Sequence, residues 1–102
     1  MARPDHVIRH IVVRGRVQGV GYRAWTADEA ARLGLQGWVR NRRDGSVEAL
    51  FAGPAERVAD MIERCHGGSA LARVEAIADL PVDDALMRLR EPGERFSMLP
   101  TV

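Results

Sequence analysis

The chain of 102 residues is 46% hydrophobic and 28% charged, with a formal net charge of +1. That length and composition describe one ordinary globular domain, spanning residues 1–102, and exclude a disordered segment. A charge so balanced excludes broad nucleic-acid affinity, so any selectivity for anions has to be local.

All fifteen basic residues are Arg and the sequence contains no Lys. A phosphate-loop lysine, a Schiff-base lysine and a kinase-type lysine are therefore impossible. Cys65 is the single cysteine, which rules out an intrachain disulfide and a cysteine-based zinc cluster and fits a reducing cytoplasm. Residues 1–14 carry no apolar run of signal-peptide length, and no stretch reaches membrane-spanning length.

In chain order, residues 1–6 are polar and contain Pro4, the composition of a frayed end. Residues 7–14 predict a central strand, with Val7, Ile11 and Val13 on one parity and Ile8 and Val12 on the other. A helix is predicted over 22–33, with Tyr22, Thr26, Ala30 and Leu33 on one stripe and Gly34 as its stop. Residues 35–41 and 46–52 predict two strands, joined by a hairpin because Asp44-Gly45 tolerates positive φ.

Gly53-Pro54 opens a second helix with Pro54 at its first position. Val58, Met61, Ile62 and Cys65 form its apolar stripe, which also makes Cys65 a core thiol, and Gly67-Gly68 ends it. Residues 73–81 predict a strand on the parity of Val74, Ala76, Ala78 and Leu80, with Ile77 marking a bulge. Residues 96–99 offer a short last strand. The order β-α-β-β-α-β predicts an α+β fold, the ferredoxin-like split βαβ sandwich, with both helices on one face of an antiparallel sheet.

The chemistry concentrates between the first strand and the first helix. Gly15, Gly19 and Gly21 relax the backbone there and keep side chains away from it. A glycine-rich turn that opens a helix points N–H groups at one spot, at the positive end of the helix dipole. Arg23 on the first helical turn adds a planar, permanently charged fork. These features predict a phosphate cradle; the alternative is a tight turn with one surface arginine.

Other patterns are weaker. Gly19-Val20-Gly21-Tyr22-Arg23-Ala24 matches G-x-G-x-x-A, yet Asp44 falls in a hairpin rather than after a parallel strand, and the chain is too short for two nucleotide-binding halves. His6, His10 and His66 are scattered as surface or strand-edge histidines and suggest no metal site. Arg40, Arg42 and Arg43 lack the interleaved aromatics of RNA-binding sheets, so a solvated hairpin tip is the simpler reading. Asn41 ends a strand just before the turn; it is either a pre-turn residue or an amide able to donate to one ligand oxygen while accepting from another.

Taken together, G-R-V-Q-G-V-G-Y-R at 15–23 and G-W-V-R-N-R-R-D-G-S-V-E at 37–48 resemble the acylphosphatase family. Thr26, Ala30-Ala31, Gly34 and Gly53-Pro54 keep the same spacing. The resemblance is carried by residues 7–67, thins toward 81, and at the end only Phe96-Ser97-Met98-Leu99 approximates the family's short closing strand. It implies hydrolysis of a small-molecule acyl phosphate to a carboxylate and inorganic phosphate, with no metal or organic cofactor and neither nucleic acid nor membrane as partner. It implies a phosphate-binding loop of Gly15, Arg16, Val17, Gln18, Gly19, Val20, Gly21, Tyr22 and Arg23. Arg23 takes the place of the phosphate-binding arginine and Asn41 that of the asparagine positioning the attacking water. A monomer is the expectation for a domain with no long apolar surface stripe to spare. The rival is a non-catalytic anion- or RNA-binding module on the same scaffold.

Overall fold

The computed structural model describes residues 5–102. The frayed end expected at the N-terminus therefore lies outside the described residues, apart from Asp5 and His6. The elements run β1 (His6–Arg16), α1 (Tyr22–Arg32), β2 (Gln36–Asn41), β3 (Val47–Pro54), α2 (Ala55–Cys65), β4 (Arg73–Leu80), a 3₁₀ turn (Asp84–Leu89) and β5 (Phe96–Met98). They form one five-stranded sheet in the order β4-β1-β3-β2-β5. Both β1 and β2 run antiparallel to β3, so they are parallel to each other and end at the same edge of the sheet. The loop after β1 and Asn41 are thereby brought to one end of the molecule, although β3 lies between their strands. The ferredoxin-like α+β architecture is as the element order predicts, but the sheet is not wholly antiparallel: β4, β1, β3 and β2 pair antiparallel, while the short β5 runs parallel to β2.

Alternation decides the two faces of the sheet. Ile11 and Val13 of β1, Val39 of β2, and Val47, Ala49 and Phe51 of β3 turn toward the helices and form the main core with Val58, Met61, Ile62 and Cys65 of α2. The opposite face is not bare. Trp38 and Leu50 pack there with Leu99 of the tail, and Leu86 and Met87 of the 3₁₀ turn close over them. Trp38 Nε1 donates to the Leu86 carbonyl at 2.7 Å, which fixes the tail to the sheet.

Several sequence expectations need correcting here. Pro54 ends β3 as the N-cap of α2, one position earlier than predicted. The core-facing residues of β4 are Val74 and Ile77, not the Val74, Ala76, Ala78, Leu80 set. Arg14 pairs with Ala76 while Gly15 pairs with Val74, so Glu75 is the extra residue of a bulge that brings Val74 and Ile77 onto one face. His10 is buried rather than at a surface or strand edge: its Nδ1 lies 2.8 Å from the Pro81 carbonyl oxygen and its Nε2 2.5 Å from Glu48 Oε2. Arg40 likewise leaves the supposed hairpin-tip cluster. It donates from Nε to Glu48 Oε1 at 2.9 Å and its guanidinium lies 4.6 Å from the Trp38 ring centroid. Burial alone would raise the Glu48 pKa, but the hydrogen bonds from Arg40 and His10 outweigh it and hold the carboxyl below its ordinary value.

Candidate active site

The loop between β1 and α1 opens the site. Gly19 and Gly21 adopt φ of 73° and 76°, left-handed values that L side chains resist. Gly21 is the N-cap of α1 and offers no side-chain cap, and the first turn holds no acid. The first bond of the helix runs from Trp25 N to Gly21 O at 3.0 Å, so the N–H groups of Tyr22, Arg23 and Ala24 precede it and have no intrahelical acceptor. Arg23 adds a cation at the end of the helix where the dipole is already positive. Among the described residues its side chain makes no ion pair or hydrogen bond. A cation there is unfavourable by itself and becomes favourable once an anion sits between it and the amides.

Asn41 is the last residue of β2 and shares the parity of Val39, so it stands on the helix side of the sheet. Its Oδ1 is buried and accepts no hydrogen bond from the described residues. Buried acceptors are nearly always satisfied, so one left open points to a ligand or water donor. The hairpin behind it is closed by Gly45 N donating to Arg42 O at 3.1 Å, and only Gly45 has positive φ (93°). The mirror-image turn suggested by Asp44-Gly45 is thus not formed. Instead Asp44 Oδ1 accepts from Ser46 N at 2.9 Å and from Ser46 Oγ at 2.5 Å, bonds that hold its carboxyl down to about 2.

A cleft of about 170 Å³ brings these groups together. Val17, Gln18, Gly19 and Gly21 line it from the loop, Tyr22, Arg23 and Ala24 from the helix start, and Asn41 and Met98 from β2 and β5. Three members of the expected loop stand elsewhere. Gly15 and Arg16 belong to β1 and pair with Val74 and Arg73 of β4. The Val20 side chain packs on the core, and its carbonyl accepts from Ser69 Oγ at 2.9 Å. Tyr22 lines the cleft too, but its hydroxyl is engaged elsewhere, donating to the Cys65 carbonyl at 2.6 Å. Burial drives the Tyr22 phenol pKa upward and pushes the Cys65 thiol to about 12, so neither is a working acid, base or nucleophile near neutrality.

Sequence reasoning missed two lining side chains in their actual roles. Met98, 48% exposed, supplies an apolar wall from β5. Gln18 uses its side chain to reach the hairpin. Neither contact has a local signature, because both join segments far apart in the chain. Among the described residues no group of three or more His, Cys, Asp or Glu is placed to hold a metal ion, and no helix is long and apolar enough to cross a membrane.

On a ferredoxin-like scaffold, one cleft is thus lined by the Arg23 cation, the start of α1 and Asn41, whose buried Oδ1 has no donor among the described residues. Comparison with known proteins gives the family. The acylphosphatase family model matches residues 9–87. An acylphosphatase of Nitrobacter hamburgensis is 65% identical over 98 residues, covering 96% of this chain and 99% of its own length. One from Nitrobacter winogradskyi is 62% identical over 96 residues, covering 94% and 97%. The crystal structure of acylphosphatase from Bacillus subtilis superposes with a TM-score of 0.76 at 38% identity, over 90% of this chain and 97% of that one. The chain belongs to the acylphosphatase family, and it is a hydrolase of the carboxyl–phosphate anhydride in small acyl phosphates.

Proposed function

We propose that the cleft at the end of β1 and β2 carries out this hydrolysis through Arg23, the amides of the loop and first helical turn, and Asn41, without metal or organic cofactor. The phosphoryl group lies against the amides and the Arg23 guanidinium. Asn41 Oδ1 accepts an O–H of the attacking water, and Nδ2 donates to a phosphoryl oxygen. Water attacks phosphorus in line, the P–O bond to the acyl group breaks, and the electron pair leaves with the carboxylate. A carboxylate is a good leaving group, so no general acid is needed; positioning and charge stabilisation do the rest. The described residues lining the cleft include no His, Asp or Glu, so the proton of the water passes to a phosphoryl oxygen.

The observation that carries this reading is the open, buried Oδ1 of Asn41 in the same cleft as the unpaired Arg23. The chain is read as acting as one domain over residues 1–102, as a monomer in the cytoplasm. Steady-state kinetics with benzoyl phosphate test the two roles. Losing one preorganised stabilising group costs about 10²–10³ in kcat. Arg23→Ala is expected to lose that much and to weaken inhibition by inorganic phosphate, whereas Asn41→Ala loses rate with phosphate inhibition retained. Near-native kcat in either variant removes that residue from the mechanism.

A further inference from the structure

The side chain of Gln18 belongs to the cleft yet is not free to serve a ligand with its amide nitrogen. Nε2 donates to the Arg42 carbonyl at 2.7 Å and to the Ser46 carbonyl at 2.8 Å. Both partners are main-chain oxygens, which only accept, so chemistry alone fixes the nitrogen of the amide at this position. Each of its hydrogens has one acceptor. Among the described residues no other side-chain hydrogen bond joins these two segments: Gln18 sits in the phosphate loop, while Arg42 and Ser46 form the mouth of the β2–β3 hairpin, where Arg42 N donates to Ser46 O at 2.9 Å.

Arg42 is the residue after Asn41. The main chain on which the Asn41 amide is mounted is therefore tied to the loop, two residues from Val20 and one from Gly19. β1 and β2 are not neighbours in the sheet, so the backbone ladder alone sets the distance between loop and asparagine only through β3. We infer that Gln18 is a positioning residue for the reaction: it sets the separation between the phosphate cradle and the Asn41 carboxamide, and acts on rate through Asn41 rather than on phosphate binding. This rests on the proposed roles of the loop and Asn41. Small displacements of a reacting group are costly, with about 1 Å costing up to 10²-fold in rate. An untied hairpin that still keeps its own turn bonds is expected to lose about tenfold.

A double-mutant cycle tests it. Gln18→Met keeps the length of the side chain and removes both donors. With benzoyl phosphate as substrate, Gln18→Met is expected to lower kcat about tenfold while the inhibition constant for inorganic phosphate changes less than about twofold. Added to Asn41→Ala, it is expected to cause no further loss, because its effect runs through the missing amide. Losses that multiply in the double variant, a phosphate affinity that falls in step with kcat, or an unchanged kcat in Gln18→Met would each overturn the positioning role. A fully active Asn41→Ala enzyme overturns the proposed water-positioning role itself, and this inference with it.

Discussion

A β-carbon built on Gly15 would lie 2.2 Å from the carbonyl oxygen of Arg73 on the neighbouring strand. The backbone there has φ of 129°, beside the bulge at Glu75. Gly15 is thus demanded by the close approach of β4 to β1, whatever the loop binds. Gly21 is the contrasting case, because its φ is 76° but nothing lies within 4 Å of an added β-carbon.

Gly15→Ala is accordingly expected to cost about 4 kcal/mol, from backbone strain and steric overlap of about 1–3 kcal/mol each. Gly21→Ala costs about 1–2 kcal/mol, the backbone part alone. Urea denaturation monitored by circular dichroism compares them. Equal losses would show that β4 yields to the added methyl group.

Tyr22 separates scaffold from chemistry. Its hydroxyl holds the carbonyl at the end of α2, and its ring lies 5.5 Å from that of Trp25. Tyr22→Phe is expected to cost about 1–2 kcal/mol of stability, since it leaves the buried Cys65 carbonyl without its donor. The kcat of the folded variant is expected to stay within about twofold, because the hydroxyl is engaged by the Cys65 carbonyl and not by the cleft. A kcat loss of the size expected for Arg23→Ala would place the phenol in the reaction.

The fold, and the residues that line the candidate cleft, are legible in the sequence where the pattern is local. The stripe Val58, Met61, Ile62, Cys65 reads as a helix and is buried as one. Arg23 and Asn41 stand out because a glycine turn and a hairpin turn flag their positions. Where a tertiary contact overrides the pattern, the reading fails. The bulge at Glu75 breaks the parity of β4, and His10 is buried because Glu48 and Pro81 receive its two ring nitrogens. The tail is opaque for a related reason. Leu86, Met87 and Leu99 follow no helical or strand period; Leu99 is buried only against Trp38 and Leu50 on the far face of the sheet, and Leu86 and Met87 pack half-buried over that cluster.

The hairpin carrying Asn41 should respond to acid. Asp44 has its carboxyl lowered from 3.8 to about 2 by the Ser46 hydroxyl and amide. Its contribution to stability is fully present above about pH 4 and is lost as pH falls through about 2. Asp44→Asn is expected to show a shallower fall of melting temperature across that window than the unaltered chain. Identical pH profiles would mean that the Ser46 bonds do not favour the ionised form.

The central claim is that one bound tetrahedral anion engages the loop amides, the Arg23 guanidinium and the Asn41 side of the cleft together. A crystal structure with phosphate or sulfate bound measures this most directly. The account predicts the ion held by main-chain N–H groups of the loop and first helical turn and by Arg23. A water between it and Asn41 Oδ1 completes the prediction. An ion bound elsewhere, or Arg23 turned away from an ion that does sit on the loop, would contradict it.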